Sequence, residues 1–292
     1  MLLLSLNVRG LGGKTKQCSL RSLFLSIRPG MILLQETMCN TYPALHAFSK
    51  LLPNWEFYAI SASGLSGGLL TAWNPHRVRC RAFETVAGIL VRANFHDMNT
   101  PLDILNCYGP YRDRDLFWDK VLRGGLLNSP NLIVGGDLNL TMGASETWGK
   151  WAALDPLTSH FKLLFYSVGL VDIAPPSAGP TWRNGMIGDE GISKRLDHFL
   201  IASSLIPSLL VHRVWTHHSD ISDHYPVYFE WNKSVGNCNY PFKFNRAWLK
   251  DPDFISWVSD KWPELSPSSP GSDLDLHALK LRTLKKDVKD WI

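Results

Sequence analysis

The spacing of apolar and polar positions changes several times along the chain, and each change predicts an element. Met1-Leu2-Leu3-Leu4-Ser5-Leu6 is an apolar run that stops at Asn7. Without the basic residues that open a signal peptide, it reads as a first strand. Over residues 16–28, Leu20, Leu23, Phe24 and Ile27 fall at i, i+3, i+4 and i+7, which is one face of a helix that Pro29-Gly30 ends. Met31-Ile32-Leu33-Leu34 is apolar throughout, as in a strand covered on both faces. A second helix is expected over 43–52, with Leu45, Phe48 and Leu52 inward. Strands are expected over 55–60, 68–73, 86–95 and 102–108, separated by Gly, Pro, Asn and Asp.

An Arg-Asp-Arg-Asp segment precedes a helix carrying Phe117, Val121 and Leu122, and residues 131–137 form a buried strand with a glycine-loosened end. Asp155 and Pro156 have the chemistry of an N-cap and first helical residue, for a helix burying Leu157, Phe161, Leu164, Phe165 and Val168. Strand 195–201, a short helix near 205–210 and strand 211–216 lead to Ile221-Ser222-Asp223-His224-Tyr225-Pro226. There a carboxylate and an imidazole share a polar turn before a last strand, in which Val227, Phe229 and Trp231 alternate with Tyr228 and Glu230. Strands and helices mix without a strict βαβ rhythm, which points to an α+β or layered α/β body with antiparallel pairs. No internal repeat is visible.

After Trp231 the character changes, which divides the chain into a 1–231 domain and a 232–292 tail. Residues 266–272 have linker composition. Leu274, Leu281 and Val288 recur every seven residues with Leu284 and Trp291 interleaved, a helical seam over 273–292 that is expected to dock on a partner helix. At 292 residues, 45% apolar and 19% charged, the chain can bury a substantial core. Its net charge of +4 is compatible with a polyanion and does not by itself identify one. Cys18, Cys39, Cys80, Cys107 and Cys238 are scattered and odd in number, as in a reduced intracellular compartment. No run of about 18 apolar residues occurs, so no membrane partner is expected.

Asn7, Glu36, Tyr108, Asp137, Asn139, Asp197, Asp223 and His224 each fall at or just beyond the end of an expected strand, where polar groups can converge on one rim of a sheet. Singly, each has a plainer explanation. Glu36 reads as a solvated loop carboxylate, Asp137 and Asn139 as an Asx turn, Asn7 as a turn former, Tyr108 as a buried aromatic, and Asp197 as a surface partner of Arg195 or Lys194. His217 and His218 read as surface residues.

Together these positions resemble the endonuclease/exonuclease/phosphatase superfamily, on Asn7-Val8-Arg9-Gly10, Gln35-Glu36-Thr37, Tyr108-Gly109-Pro110, Gly136-Asp137-Leu138-Asn139, Arg195-Leu196-Asp197-His198 and Ser222-Asp223-His224. Within it the chain resembles most the amino-terminal endonuclease of plant LINE-type non-LTR retrotransposons, on Ser66-Gly67-Gly68-Leu69-Leu70 and the 240–249 segment, which in such proteins leads toward a reverse transcriptase; the chain read here ends at Ile292 before one. The resemblance implies a DNase-I-like fold, a four-layer α/β/β/α sandwich of two packed mixed β-sheets with outer helices, plus a helical C-terminal appendage. It implies Mg²⁺, with Mn²⁺ as a substitute, held by Glu36 with Asn7 and Asp223 in or near its shell. It gives His224 an orienting partner in Asp197, makes Asp137 beside Asn139 the group that activates water, and has Tyr108 donate to a phosphate oxygen. Whether Asp137 or His224 is the base is left open.

The implied function is nicking of one DNA strand to leave 3′-hydroxyl and 5′-phosphate ends, in the nucleus where the target is genomic. Trp182, Arg183 and Arg112 are the expected duplex contacts. Two departures stand out: Arg9 replaces an acidic residue that some repair enzymes carry, and Tyr111 follows Tyr-Gly-Pro where several members have Asn. A phosphatase or phospholipase of the same fold, and a truncated relic acting as a binding module, remain open at this point.

Overall fold

The computed structural model describes residues 1–63, 66–176, 179–209, 211–232, 252–264, 280–281, 283–284 and 287–288. The first half of the chain forms β1 (Leu2–Asn7), α1 (Lys14–Ile27), β2 (Met31–Gln35), α2 (Thr41–Leu51), β3 (Glu56–Ser63), β4 (Ser66–Trp73), β5 (Val78–Thr85), β6 (Gly88–Phe95), β7 (Leu102–Tyr108) and α3 (Arg114–Arg123). There follow β8 (Leu132–Asp137), β9 (Thr147–Trp148), α4 (Thr158–Ser167), β10 (Leu170–Asp172), β11 (Trp182–Arg183), β12 (Ser193–Lys194), β13 (Asp197–Ala202), β14 (Val211–Thr216) and β15 (Val227–Asn232). Contacts divide the chain into Met1–Ser234 and Val235–Ile292. In the second unit the described part is α5 (Pro252–Glu264), unforeseen in the sequence, and six residues of the heptad segment. Of that seam, Leu281 is exposed and Val288 buried, while Leu274, Trp291, the 240–249 segment and the linker lie outside the described residues.

In the first unit the strands form two mixed six-stranded sheets, ordered β14-β15-β1-β2-β4-β3 and β10-β13-β8-β7-β6-β5, with a small sheet β11-β12-β9 beside them. Each large sheet contains one parallel pair, β1–β2 and β7–β8, and is otherwise antiparallel. Period-two alternation sorts the side chains. From the first sheet, Leu4, Leu6, Ile32, Leu34, Leu70, Ala72 and Tyr228 join Leu20, Leu23 and Phe24 of α1 and Phe48 of α2 in one buried cluster. Their strand neighbours Leu3, Leu33, Val227, Phe229 and Trp231 instead join the second sheet, α3 and α4. The two sheets touch at Gly135, where an added Cβ would come within 2.5 Å of Phe199 and 2.9 Å of Leu33.

A polar tie crosses this otherwise apolar interface. Gln35 Nε2 donates to Asn106 Oδ1 at 2.7 Å, and Asn106 Nδ2 donates to the carbonyl oxygens of Leu34 and Leu70 and to Thr71 Oγ1 at 3.1–3.2 Å. Buried amides are stable only when satisfied in this way.

Several local expectations need correction. Tyr228 is fully buried, because the face it shares with Leu4 is covered by α1 and α2; Trp215 and His217 stack on it at 5.2 and 5.3 Å. Strand β5 was not expected: Arg79, Arg81 and Glu84 interrupt any apolar run, yet its register with β6 runs from Val78 to Thr85. In α3 the fully buried residues are Val121, as expected, and Trp118, which lies edge-on to Phe165 at 5.1 Å, while Phe117 and Leu122 are only partly buried. Helix α4 begins at Thr158 and not at Pro156, since Asp155 is committed to Arg114 and closes a preceding turn through Leu157 N–H. The expected helix near 205–210 is a single 3₁₀ turn over Ile206–Ser208, with Pro207 in it.

Candidate active site

Strand registers bring the polar ends together. Tyr108 pairs with Asp137 across β7–β8, Asp137 with Asp197 across β8–β13, and Asn7 with Gln35 across β1–β2. Asn7, Asp137 and Asp197 are the last or first residues of their strands. Glu36 follows β2 with a positive φ of 49°, as do Arg9 after β1 (41°) and Asn139 after β8 (52°). Left-handed backbone costs a residue with a Cβ, and its repetition here belongs to the rim of the sheets. At Gly136 (φ 147°) a Cβ would lie 1.9 Å from the Cys107 carbonyl oxygen, so only glycine lets β8 approach β7 beside Asp137.

The side chains form a continuous network. Asn7 Nδ2 donates to Glu36 Oε1 at 3.1 Å and to Asp137 Oδ2 at 2.8 Å, while Asn7 Oδ1 accepts from Arg9 N–H at 3.1 Å. The orientation of the Asn7 amide is fixed, because ionised carboxylates only accept. Tyr108 donates to Glu36 Oε1 at 2.6 Å, so its proton goes to a carboxylate here and not into the cleft. Asp137 Oδ1 accepts from Asn139 N–H at 3.0 Å, and Asn139 Nδ2 donates to Gly109 O at 2.8 Å, tying the turns after β7 and β8.

His224 Nδ1–H donates to Asp197 Oδ2 at 2.9 Å, and its Nε2 lies 3.7 Å from Asp137 Oδ2. Asp137, Asp197 and His224 are 1%, 1% and 3% exposed. Thr181 was not singled out from sequence and locks this group from behind. Its Oγ1 accepts from Leu196 and Asp197 N–H, and its carbonyl from Tyr225 N–H. The plainer reading of Asp197 as a surface partner of Arg195 or Lys194 does not hold, because Asp197 is buried against His224 and Arg195 binds Glu146 and Asp172.

Burial, together with the neighbouring Asp197, drives the Asp137 carboxyl up to about 7 against the pull of His224 and Asn7. Burial opposes charge on His224, but Asp197 outweighs it and lifts the imidazole to about 9. The Tyr108 hydroxyl is pushed up by burial and by Glu36.

The network opens on a cleft of about 610 Å³ lined by Glu36, Tyr108, Asp137, Asn139, Trp182 and His224, among others. Arg114, Lys194, Met38 and Leu154 also line it and carried no sequence signal. Asp223 is engaged by Arg9 Nη1 at 2.8 Å and Trp182 Nε1 at 3.1 Å. Arg183 is exposed, with its guanidinium 5.0 Å from the Tyr225 ring, and Arg112 is exposed on the turn before α3. Neither of these arginines lines the cleft.

The donor chemistry fits a hard divalent cation. Glu36, Asp137, Asp197 and Asp223 outnumber the cationic groups they touch, Arg9 and His224, and Asp197 Oδ1 is buried with no hydrogen-bond partner. Asp137, Asp197 and His224 each offer a ligand atom within 4.8 Å of the others.

The sequence profile of the Endonuclease/Exonuclease/phosphatase family matches residues 4–224. No curated protein sequence matches the chain significantly. Among solved structures, the endonuclease domain of TRAS1, a telomere-specific non-LTR retrotransposon, superposes with a TM-score of 0.59 at 15% identity, over 79% of this chain and 97% of that one. The AP endonuclease LMAP from Leishmania major gives 0.62 at 18% identity, over 78% and 86%. The 3′ phosphatase NExo from Neisseria, bound to product DNA hairpin, gives 0.58 at 16% identity, over 80% and 99%.

Proposed function

Since the chain belongs to the endonuclease/exonuclease/phosphatase family, we propose that the cluster at its cleft hydrolyses phosphodiesters and that the substrate is DNA, nicked on one strand. The observation that carries this reading is the unbroken path Glu36–Asn7–Asp137–His224–Asp197, in which an acid near neutrality stands beside an imidazole held charged. Mg²⁺, or Mn²⁺ in its place, would be held by Glu36 with the neighbouring carboxylates and would supply Lewis-acid charge for the non-bridging oxygens.

Asp137 is the group suited to take a proton from water, since a carboxyl tuned to about 7 is balanced between accepting and releasing it. His224 is suited to the opposite task. Charged at neutral pH and aligned by Asp197, it presents Nε2–H to an anionic oxygen and stabilises charge that grows in the transition state. Asn7 fixes Glu36 and Asp137 against each other and Tyr108 holds Glu36 at the same Oε1, which is positioning and not ligation. Water oxygen bonds to phosphorus, its proton passes to Asp137, and the P–O3′ bond breaks; O3′ leaves as an alkoxide that takes a proton from solvent water, giving a 3′-hydroxyl and a 5′-phosphate. The half-buried indole of Trp182 at the cleft and the exposed guanidinium groups of Arg183 and Arg112 supply contacts to the duplex backbone. A retrotransposon origin and a nuclear site of action complete this reading; a superposable retrotransposon endonuclease domain supports the former.

The test is conversion of supercoiled plasmid to nicked circles in Mg²⁺ by the purified chain, with nicks that DNA ligase seals. Glu36→Ala should abolish it. Equal nicking by wild type and variant, or turnover of small phosphate monoesters alone, would overturn the assignment.

A further inference from the structure

The turn after β1 places a cation where the family's chemistry needs an open carboxylate. Glu36 Oε1 is already occupied by Asn7 Nδ2 and the Tyr108 hydroxyl, so Oε2 is the oxygen left for a metal. Arg9 Nε lies 3.7 Å from that same Oε2, while Arg9 Nη1 donates to Asp223 Oδ2 at 2.8 Å.

The main chain at Arg9 is tied in place. Its backbone N–H is held by Asn7 Oδ1, the next two residues bond to the carbonyls of Glu36 and Thr37, and Lys16 Nζ donates to the carbonyls of Val8 and Arg9. The unusual φ of 41° at Arg9 is therefore tied from both sides. The two contacts are unequal: the one to Asp223 is a charged hydrogen bond, and the one to Glu36 is a looser ion pair.

We propose that Arg9 is a tethered counter-cation of the metal seat, which competes with the divalent ion for Glu36 while remaining anchored on Asp223. This rests on the reading above that Glu36 holds a metal. Without the ion, Arg9 offsets the repulsion among Glu36, Asp137 and Asp223. When the ion arrives, the guanidinium yields Glu36 Oε2 and keeps Asp223. The seat then pays for its preorganisation with a weaker grip on free metal.

The experiment is Mn²⁺ titration of the full chain without DNA, with free Mn²⁺ followed by electron paramagnetic resonance. Arg9→Gln and Arg9→Asn, the latter suited to left-handed backbone, should each bind Mn²⁺ about 10-fold more tightly, as expected for removing one partly screened charge beside a divalent ion. Arg9→Lys should fall between, because it keeps the charge and loses the fork. In wild-type protein the Arg9 Nε–H resonance should move on Mg²⁺ titration, a readout that needs no variant to fold. Unchanged or weaker Mn²⁺ binding in folded charge-removed variants, or an unmoved resonance at saturating Mg²⁺, overturns the proposal. Absence of Mn²⁺ binding from wild type, the Arg9 variants and Glu36→Ala alike would instead undo the metal reading beneath it.

Discussion

Asp197 and His198 are consecutive in β13, yet each belongs to a cluster of two carboxylates and one histidine, on opposite faces of the sheet. On one face Asp197 joins Asp137 and His224 at the cleft. On the other, His198 joins Asp172 and Glu146, and Arg195 drives its guanidinium between the two acids, with contacts of 2.5–2.8 Å to both. Glu146 also caps the Met142 N–H at 2.5 Å, and His198 Nε2 meets the Leu140 carbonyl oxygen at 3.1 Å. The second cluster carries its own counter-charge and fixes the loop between β8 and β9. The first leaves acid in excess and a buried oxygen unpaired. Composition alone would not separate the two clusters; the supplied counter-charge and access to the cleft do, and they are why the first is the one proposed to react.

The sharpest way to break this contrast is Arg195→Met. It strands buried Glu146 and half-buried Asp172 and should lower stability by about 3–5 kcal/mol, read by urea or thermal unfolding. A loss below 1 kcal/mol would mean that the second cluster is not the structural one.

Next in size is Asp137→Asn, which should cut plasmid nicking about 10²–10³-fold, some 2.7–4 kcal/mol of barrier, while the unfolding midpoint holds or rises. A fall in stability to match the fall in rate would erase the distinction between the two faces.

The smallest effect concerns pH. Burial would raise the Asp172 carboxyl, but His198 and Arg195 outweigh it and hold it below its ordinary value of 3.8. A depressed acid contributes stability that is complete above its unfolded value and lost as pH falls through the lower folded one. Unfolding midpoints measured from about pH 7 down to about pH 2 should therefore show Asp172→Asn less stable near neutrality and converging on wild type in acid. The deficit should be smaller than for Arg195→Met, since Glu146 still holds the guanidinium. A constant gap across the range would remove Asp172 from the ion cluster.

Most of the fold was legible because its strands are apolar runs or alternations bounded by turns, and Asp137 with Asn139, or Asp223 with His224, could be singled out from local context. What stayed hidden depends on partners distant in sequence. Arg195 precedes β13 in irregular backbone, so strand alternation gave no guide to its side chain, whose guanidinium reached Asp172. Glu146 lies in a 3₁₀ turn and Asp172 ends the three-residue β10, elements too short for periodicity to mark them. Asn106 interrupts the apolar β7, and a polar residue in the middle of a fully buried strand was the signal for the inter-sheet tie. Thr181 had no such mark, because its role lies in accepting backbone N–H groups from β13 and its approach.

That tie between Gln35 and Asn106 makes the two sheets a jig with a single setting. A slip of either sheet by one residue would leave amide hydrogens facing hydrocarbon, at about 1–3 kcal/mol for each orphaned group. Insertions and exchanges in the loops that wall the cleft can accordingly reshape what enters it, while the spacing of the polar groups beneath stays where the sheets set it.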